Sequence, residues 1–200
     1  MILPFEPYNP LWKKQFRVIE QELKSVFGDF PVQIDHIGST SVDGLSAKPI
    51  IDIQLGVETD EDLNKIPELL KLSNVVYYEK YNHDMPTRRF FVLFKQTTDE
   101  MDIAPIVKLD EEIPAQLHNH NLRLAHIHAF VKGSEDWLRH IAFRDYLRTN
   151  ESIKNEYQTL KEKLVKNEWK DGNEYNDAKD AFLKKHEKIA LEWYKNSRTK

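Results

Sequence analysis

The chain of 200 residues contains no cysteine. That absence excludes disulfides, a thiolate nucleophile and any thiolate-ligated metal site, and it is compatible with the cytosol. There is no excess of positive charge either. A formal charge of −4 and a pI near 6.1 argue against bulk nucleic-acid binding, although a local basic groove stays open. No apolar run approaches membrane-spanning length, and the opening Met-Ile-Leu-Pro-Phe-Glu-Pro has no basic segment followed by an apolar one. A cytoplasmic protein without a membrane partner is the expectation. The chain also lacks a solenoid-length repeat and a low-complexity linker, so its length suits one medium domain or a small α/β core with a helical appendage.

What is present alternates strand and helix signals first and then only helix signals. Asn9-Pro10 is a helix opening, and Trp12, Phe16, Ile19, Leu23 and Phe27 recur at helical spacing until Gly28. Val32–Ile37 and Ile50–Val57 read as strands, the second carrying Asp52 and Gln54 on one face. Thr59 followed by three acids opens another helix, which Pro67 is expected to begin late or to break. Val75–Tyr78, Arg89–Phe94 and Leu122–Val131 are further strands, the last placing His126 and His128 on one face. Between them, 95–121 holds apolar patches and two prolines and reads as an insertion or an edge element, with Asp102 a weak acid candidate and His118 and His120 as solvated loop residues. Helices are predicted over Glu135–Arg148, Glu151–Lys166 and Glu174–Lys195. The expected class is therefore α/β (α+β), with a core over 1–132 and a helical part over 133–200 packed on it as one unit.

The most informative stretch is His36-Ile37-Gly38-Ser39-Thr40-Ser41 with Lys48-Pro49-Ile50-Ile51-Asp52 after it. A strand that stops at a glycine and turns through small hydroxylated residues lets backbone N–H groups approach an anion. Gly38, Ser39, Thr40 and Ser41 are thus candidate phosphate ligands, and Asp52, one strand away, is a candidate ligand for a cation bound to that phosphate. His36 alternates with Asp35, so only one of them can face such a site.

Hydrophobic residue, Gly-Ser, about a dozen residues and then an acid in a β-run resembles the nucleotidyltransferase signature. The fuller string from His36 to Ile53 is similar to the GrpB family, a bacterial branch of that superfamily, and His126-Ile-His128, Phe143-Arg-Asp-Tyr-Leu-Arg148 and the two Tyr-x-x-x-Lys units also fit. The resemblance implies a nucleotidyltransferase-like mixed sheet with flanking helices. It further implies a metal-dependent protein that binds a nucleotide and transfers a nucleotidyl group to a small acceptor. The superfamily carries Asp-x-Asp on the second strand, and here the second acid is Gln54, which weakens the case for ordinary two-metal chemistry. His126 and His128 would then join Asp52 as catalytic metal ligands, for a divalent ion such as Mg, Mn or Zn.

A phosphate site needs counter-charge. Lys48, Arg144 and Lys161 are the candidates, with Arg88, Arg89 and Lys179 behind them and His140, Arg144 and Arg148 forming a basic helical stripe. Two other readings stand beside the transferase: a non-catalytic nucleotide- or phospho-ligand-binding module, which Gln54 favours, and a His/His/Asp metal-dependent hydrolase.

Overall fold

A computed structural model describes residues 4–169 and 172–198. Helix α1 (Leu11–Phe27) begins where Asn9 Oδ1 accepts from the Leu11 N–H at 3.0 Å, and it ends at Gly28, whose positive φ of 55° is the left-handed turn glycine tolerates. The strands are β1 (Gln33–Ile37), β2 (Ile51–Val57), β3 (Val75–Tyr77), β4 (Arg89–Phe94) and β5 (Arg123–Val131). They form one mixed sheet in the order β1-β2-β5-β4-β3, in which only the β2–β5 pair is parallel. The remaining helices are α2 (Asp60–Leu69), α3 (Glu135–Thr149), α4 (Glu151–Leu164) and α5 (Gly172–Arg198). This is the α/β class expected, with the C-terminal helices in place. Among the described residues no helix is long and apolar enough to cross a membrane.

Strand alternation divides the sheet into two unlike faces. Ile51, Ile53, Leu55 and Val57 of β2, with Ala125, Ile127 and Ala129 of β5, form the apolar face, which packs on Trp12, Leu23 and Phe27 of α1 and Leu63 and Ile66 of α2. Fully burying a large apolar side chain contributes about 1.5–3 kcal/mol, so this layer dominates the stability of the core. The opposite face carries Asp52 and Gln54 of β2 in register with His126 and His128 of β5. Helices α3 and α5 seal its end through Ile37, Phe130, Trp137, Ile141 and Tyr194. Polar residues on a sheet face cannot pack on helices as tightly as aliphatic ones, and a cavity remains over Asp52, His126 and His128.

One expectation changes. Helix α2 neither begins nor breaks at Pro67 but runs through it. Thr59 caps it by accepting from the Asp62 N–H at 3.1 Å, and although Pro67 forgoes the bond its N–H would make to the Leu63 carbonyl, the burial of Leu63 and Ile66 holds the helix on the core. The 95–121 stretch adds no named strand to the sheet; its Ile106 makes an isolated bridge to Tyr77, and two short turns follow at Ala115–His118 and His120–Leu122. Its Met101, Val107 and Leu117 pack on Val76, Tyr78, Val92 and Phe94, so the segment covers the β3–β4 end of the polar face.

Candidate functional site

The cavity on the polar face has a volume of about 610 Å³. At its β1 end lies the glycine turn. Gly38 has φ of 68°, and a Cβ there would stand 2.2 Å from Asp52 Oδ2. Only glycine fits so close to that carboxylate, which places the turn and the acid in one space. The hydroxyls divide unevenly. Ser39 faces the cavity, where its Oγ accepts from Lys161 Nζ at 3.2 Å. Thr40 Oγ1 is tied to His36 Nε2 at 2.9 Å, and Ser41 Oγ donates back to the Gly38 carbonyl at 2.6 Å. His36 stacks on Phe16 of α1, so Asp35, not His36, points to the polar face.

The other end of the row is less open to a metal than the pattern suggested. His126 Nδ1 donates to Asp52 Oδ1 at 3.2 Å, while its Nε2 accepts from Arg123 Nη1 at 3.1 Å. A guanidinium is always a donor, so this imidazole is neutral and both nitrogens are occupied. His128 lies one pair further along, against Phe90 at 5.0 Å and His140 at 5.8 Å between ring centroids. Burial, outweighing the Asp52 carboxylate beside His126, holds both imidazoles below their ordinary value. Among the described residues no group of three or more His, Asp or Glu side chains is arranged to hold a metal ion. The Asp52–His126–His128 set therefore does not fit a resident metal centre. Gln54 does not line the cavity: it is fully buried and donates to the Trp137 carbonyl at 3.1 Å.

The charge of the lining is its clearest property. Among the described residues Lys48, Lys161 and Lys179 line one end and Arg88, Arg123, Arg139 and Arg144 the rest, against two carboxylates, Asp52 and Glu187. Glu187 is paired with Arg139 at 3.1 Å. Lys48 and Lys179 both sit over the Tyr175 ring, at 4.9 Å and 4.2 Å from its centroid, and Lys161 lies 4.7 Å from that of Tyr157. Burial lowers Lys48 to about 8 and Lys161 and Lys179 to about 7; neighbouring lysines add to the fall at Lys161 and Lys179, while the Asp52 carboxylate partly offsets it at Lys48 and Lys179. No carboxylate within ion-pair distance of these three lysines is found among the described residues.

Arg144 lines the cavity but is already engaged. It makes two bonds to Asp145, one to Asp35 at 3.1 Å and one to the His36 carbonyl at 3.2 Å. Burial opposes its charge, and the two carboxylates outweigh that and raise its pKa. Arg148 grips the Ser41 carbonyl at 2.8 Å outside the cavity, so the basic stripe braces the glycine turn from behind. Arg89 turns to Asn64 of α2. His118 stands exposed at the cavity's edge, as a solvated loop residue would, whereas His120 is half-buried against the cavity because the 95–121 stretch folds over the sheet. Arg123, Tyr78, Tyr81 and Phe90 were missed by the motif reading. Only for Phe90 was there a signal, since alternation in β4 opposes it to Phe91 of the core.

A mixed sheet whose first strand ends in a glycine turn against an acid on the antiparallel second strand, with helices over that face, defines a nucleotidyltransferase-like α/β protein. The family model described as GrpB protein matches residues 4–188, and the chain belongs to the GrpB family. It is 31% identical over 188 residues to the UPF0157 protein YqkA of Bacillus subtilis, covering 94% of this chain but only 47% of that one, about half its length. It is 30% identical to the glutamate-rich protein GrpB of Alkalihalophilus pseudofirmus over 86% of each chain. The crystal structure of the conserved protein GrpB from Enterococcus faecalis superposes with a TM-score of 0.69 at 32% identity, over 95% of this chain and 98% of that one.

Proposed function

We propose that this protein binds a nucleotide, with the phosphates at the Gly38 end of the cavity. The observation that carries the reading is a group of lysines, Lys161 buried and Lys48 and Lys179 half-buried, gathered around the Tyr157 and Tyr175 rings with no carboxylate within ion-pair distance among the described residues. Placing like charges in a buried space is costly, and a polyanion arriving there relieves the cost and gains charged hydrogen bonds. Ser39 and the Gly38 turn supply further polar groups, and Arg144 braces the turn more than it serves as a free counter-charge. A divalent cation enters this reading as part of the ligand. Magnesium is commonly held by one or two carboxylates together with substrate phosphates, and Asp52 is the one acid available for that. The setting proposed is the cytoplasm, in keeping with a cysteine-free chain.

Transfer of a nucleotidyl group to a small acceptor is the second reading, favoured by the position of Asp52 against the Gly38 turn. The acceptor oxygen would bond to the α-phosphorus as the α–β bridging bond breaks and pyrophosphate leaves, and the acceptor's proton would pass to the Asp52 carboxylate. A binding module without catalysis remains the contrast, and a hydrolase built on His126 and His128 loses ground because His126 is occupied at both nitrogens. Calorimetry with the four nucleoside triphosphates and with inorganic tripolyphosphate, with and without Mg²⁺, tests the proposal. The expected result is saturable binding that tripolyphosphate competes for; in Asp52→Asn the cation-dependent part of the affinity should disappear. Absence of binding to every one of these probes would refute it.

A further inference from the structure

The cavity has a second end that the phosphates do not use. Crossing from β1 to β4 in the sheet order spans three strand spacings, about 14 Å. At the β4 end Phe90, Tyr78 and Tyr81 form an aromatic wall, with Tyr81 5.4 Å from Tyr78 and 5.9 Å from Phe90 between centroids. Within that wall five polar atoms are buried without a hydrogen-bond partner among the described residues: Tyr78 Oη, Arg88 Nε, Arg123 Nε, His120 Nδ1 and His128 Nδ1. Buried polar groups in folded proteins are almost always satisfied, and each one left unpaired is costly. A cluster of them on one cavity wall is what a site looks like before its ligand arrives.

The chemistry of the wall is selective. Arg88 and Arg123 are cations, and neither makes an ion pair with a carboxylate among the described residues. The hydroxyl of Tyr78 is buried near Arg123, which partly offsets the rise that burial imposes on its pKa, to about 12. A tyrosine held protonated is a hydrogen-bond donor, as are both guanidinium Nε–H groups. Donors and positive charge beside aromatic faces suit an oxyanion carried on a flat or apolar body.

We propose that the β4 end is a second subsite, built by Tyr78, Arg88 and Arg123, that takes the carboxylate or phosphate of a small second ligand. The Asp52–His126 pair lies between it and the Gly38 end, because β2 and β5 lie between β1 and β4 in the sheet. The inference deepens the nucleotide reading by giving the protein two ligands bound side by side, flanking the Asp52 carboxylate and its His126 partner.

The test uses phenyl phosphate and benzoate as probes, with phenol as the uncharged control, titrated into the full chain with and without saturating ATP. The expected result is that at least one charged probe binds while phenol does not, the tighter probe naming the oxyanion. Its affinity should fall about tenfold or more in Arg88→Gln and about threefold to tenfold in Tyr78→Phe, and stay within about twofold in Lys179→Met. ATP should leave the probe bound. The conservative Tyr78→Phe keeps the test decisive should Arg88→Gln not fold. Failure of both probes in a protein that binds ATP through Lys179 would overturn the second subsite and spare the nucleotide reading, as would displacement of the probe by ATP. A probe bound through Arg88 in a protein indifferent to ATP would keep the subsite and end the nucleotide reading.

Discussion

At the scale of single residues, Gly38 and the cavity lysines set the terms. The Gly38 backbone is in the left-handed region, and a Cβ would meet Asp52 Oδ2 at 2.2 Å. Gly38→Ala is expected to cost about 1–3 kcal/mol of stability from backbone strain and to displace the Asp52 carboxylate, so that urea denaturation and nucleotide binding both suffer. A variant as stable as wild type would show that the turn is not fixed. Lys161 and Lys179 titrate at about 7 in the folded chain against an ordinary 10.5. Between those values the unfolded state binds more protons, so the ligand-free protein gains stability from these groups as pH rises from about 7. Phosphate affinity moves the other way, because the ammonium groups lose charge over the same interval. Melting curves from pH 7 to 9 should therefore rise more steeply for wild type than for the Lys161→Met/Lys179→Met double variant, and equal slopes would contradict the assignment.

At the scale of elements, Arg144 is a clamp between α3 and β1, holding Asp35 and the His36 carbonyl while Asp145 orients it. Removing one partner of a largely buried ion pair strands the others, so Arg144→Ala should destabilise by about 3 kcal/mol. A double-mutant cycle with Asp35→Asn would show coupling between the two sites, and its absence would return Arg144 to an independent role. Elements were also what the sequence declared best. The helical spacing of Trp12, Ile19, Leu23 and Phe27 and the alternation of β2 around Asp52 and Gln54 are local signals, and both became the expected faces. Pro67 misled because the tertiary burial of Leu63 and Ile66 offsets the one helical bond it removes. The covering role of 95–121 was illegible, since Met101, Val107 and Leu117 reach the core from turns without a period.

At the scale of the whole molecule, a chain of net charge −4 folds so that, among the described residues, seven cationic side chains line one cavity with two carboxylates. Only half of that site could be read in advance. The Gly38–Asp52 pairing is encoded within some fifteen residues, whereas Arg123, Tyr78 and Phe90 join it through the strand order, which no local pattern specifies. The central claim is that the lysines are kept without a carboxylate partner for an anion, at a cost to the empty protein, although Lys161 donates to Ser39 Oγ and the Ser46 carbonyl. Thermal unfolding of wild type and Lys179→Met, each with and without ATP near a hundred times its Kd, tests this most directly. Binding at that level contributes about 2.7 kcal/mol, or about 5–10 °C for a chain of this size. The account predicts that the ligand-free variant melts above wild type and loses most of the ATP-induced rise. A variant that melts lower than wild type while keeping the full ATP shift would contradict it.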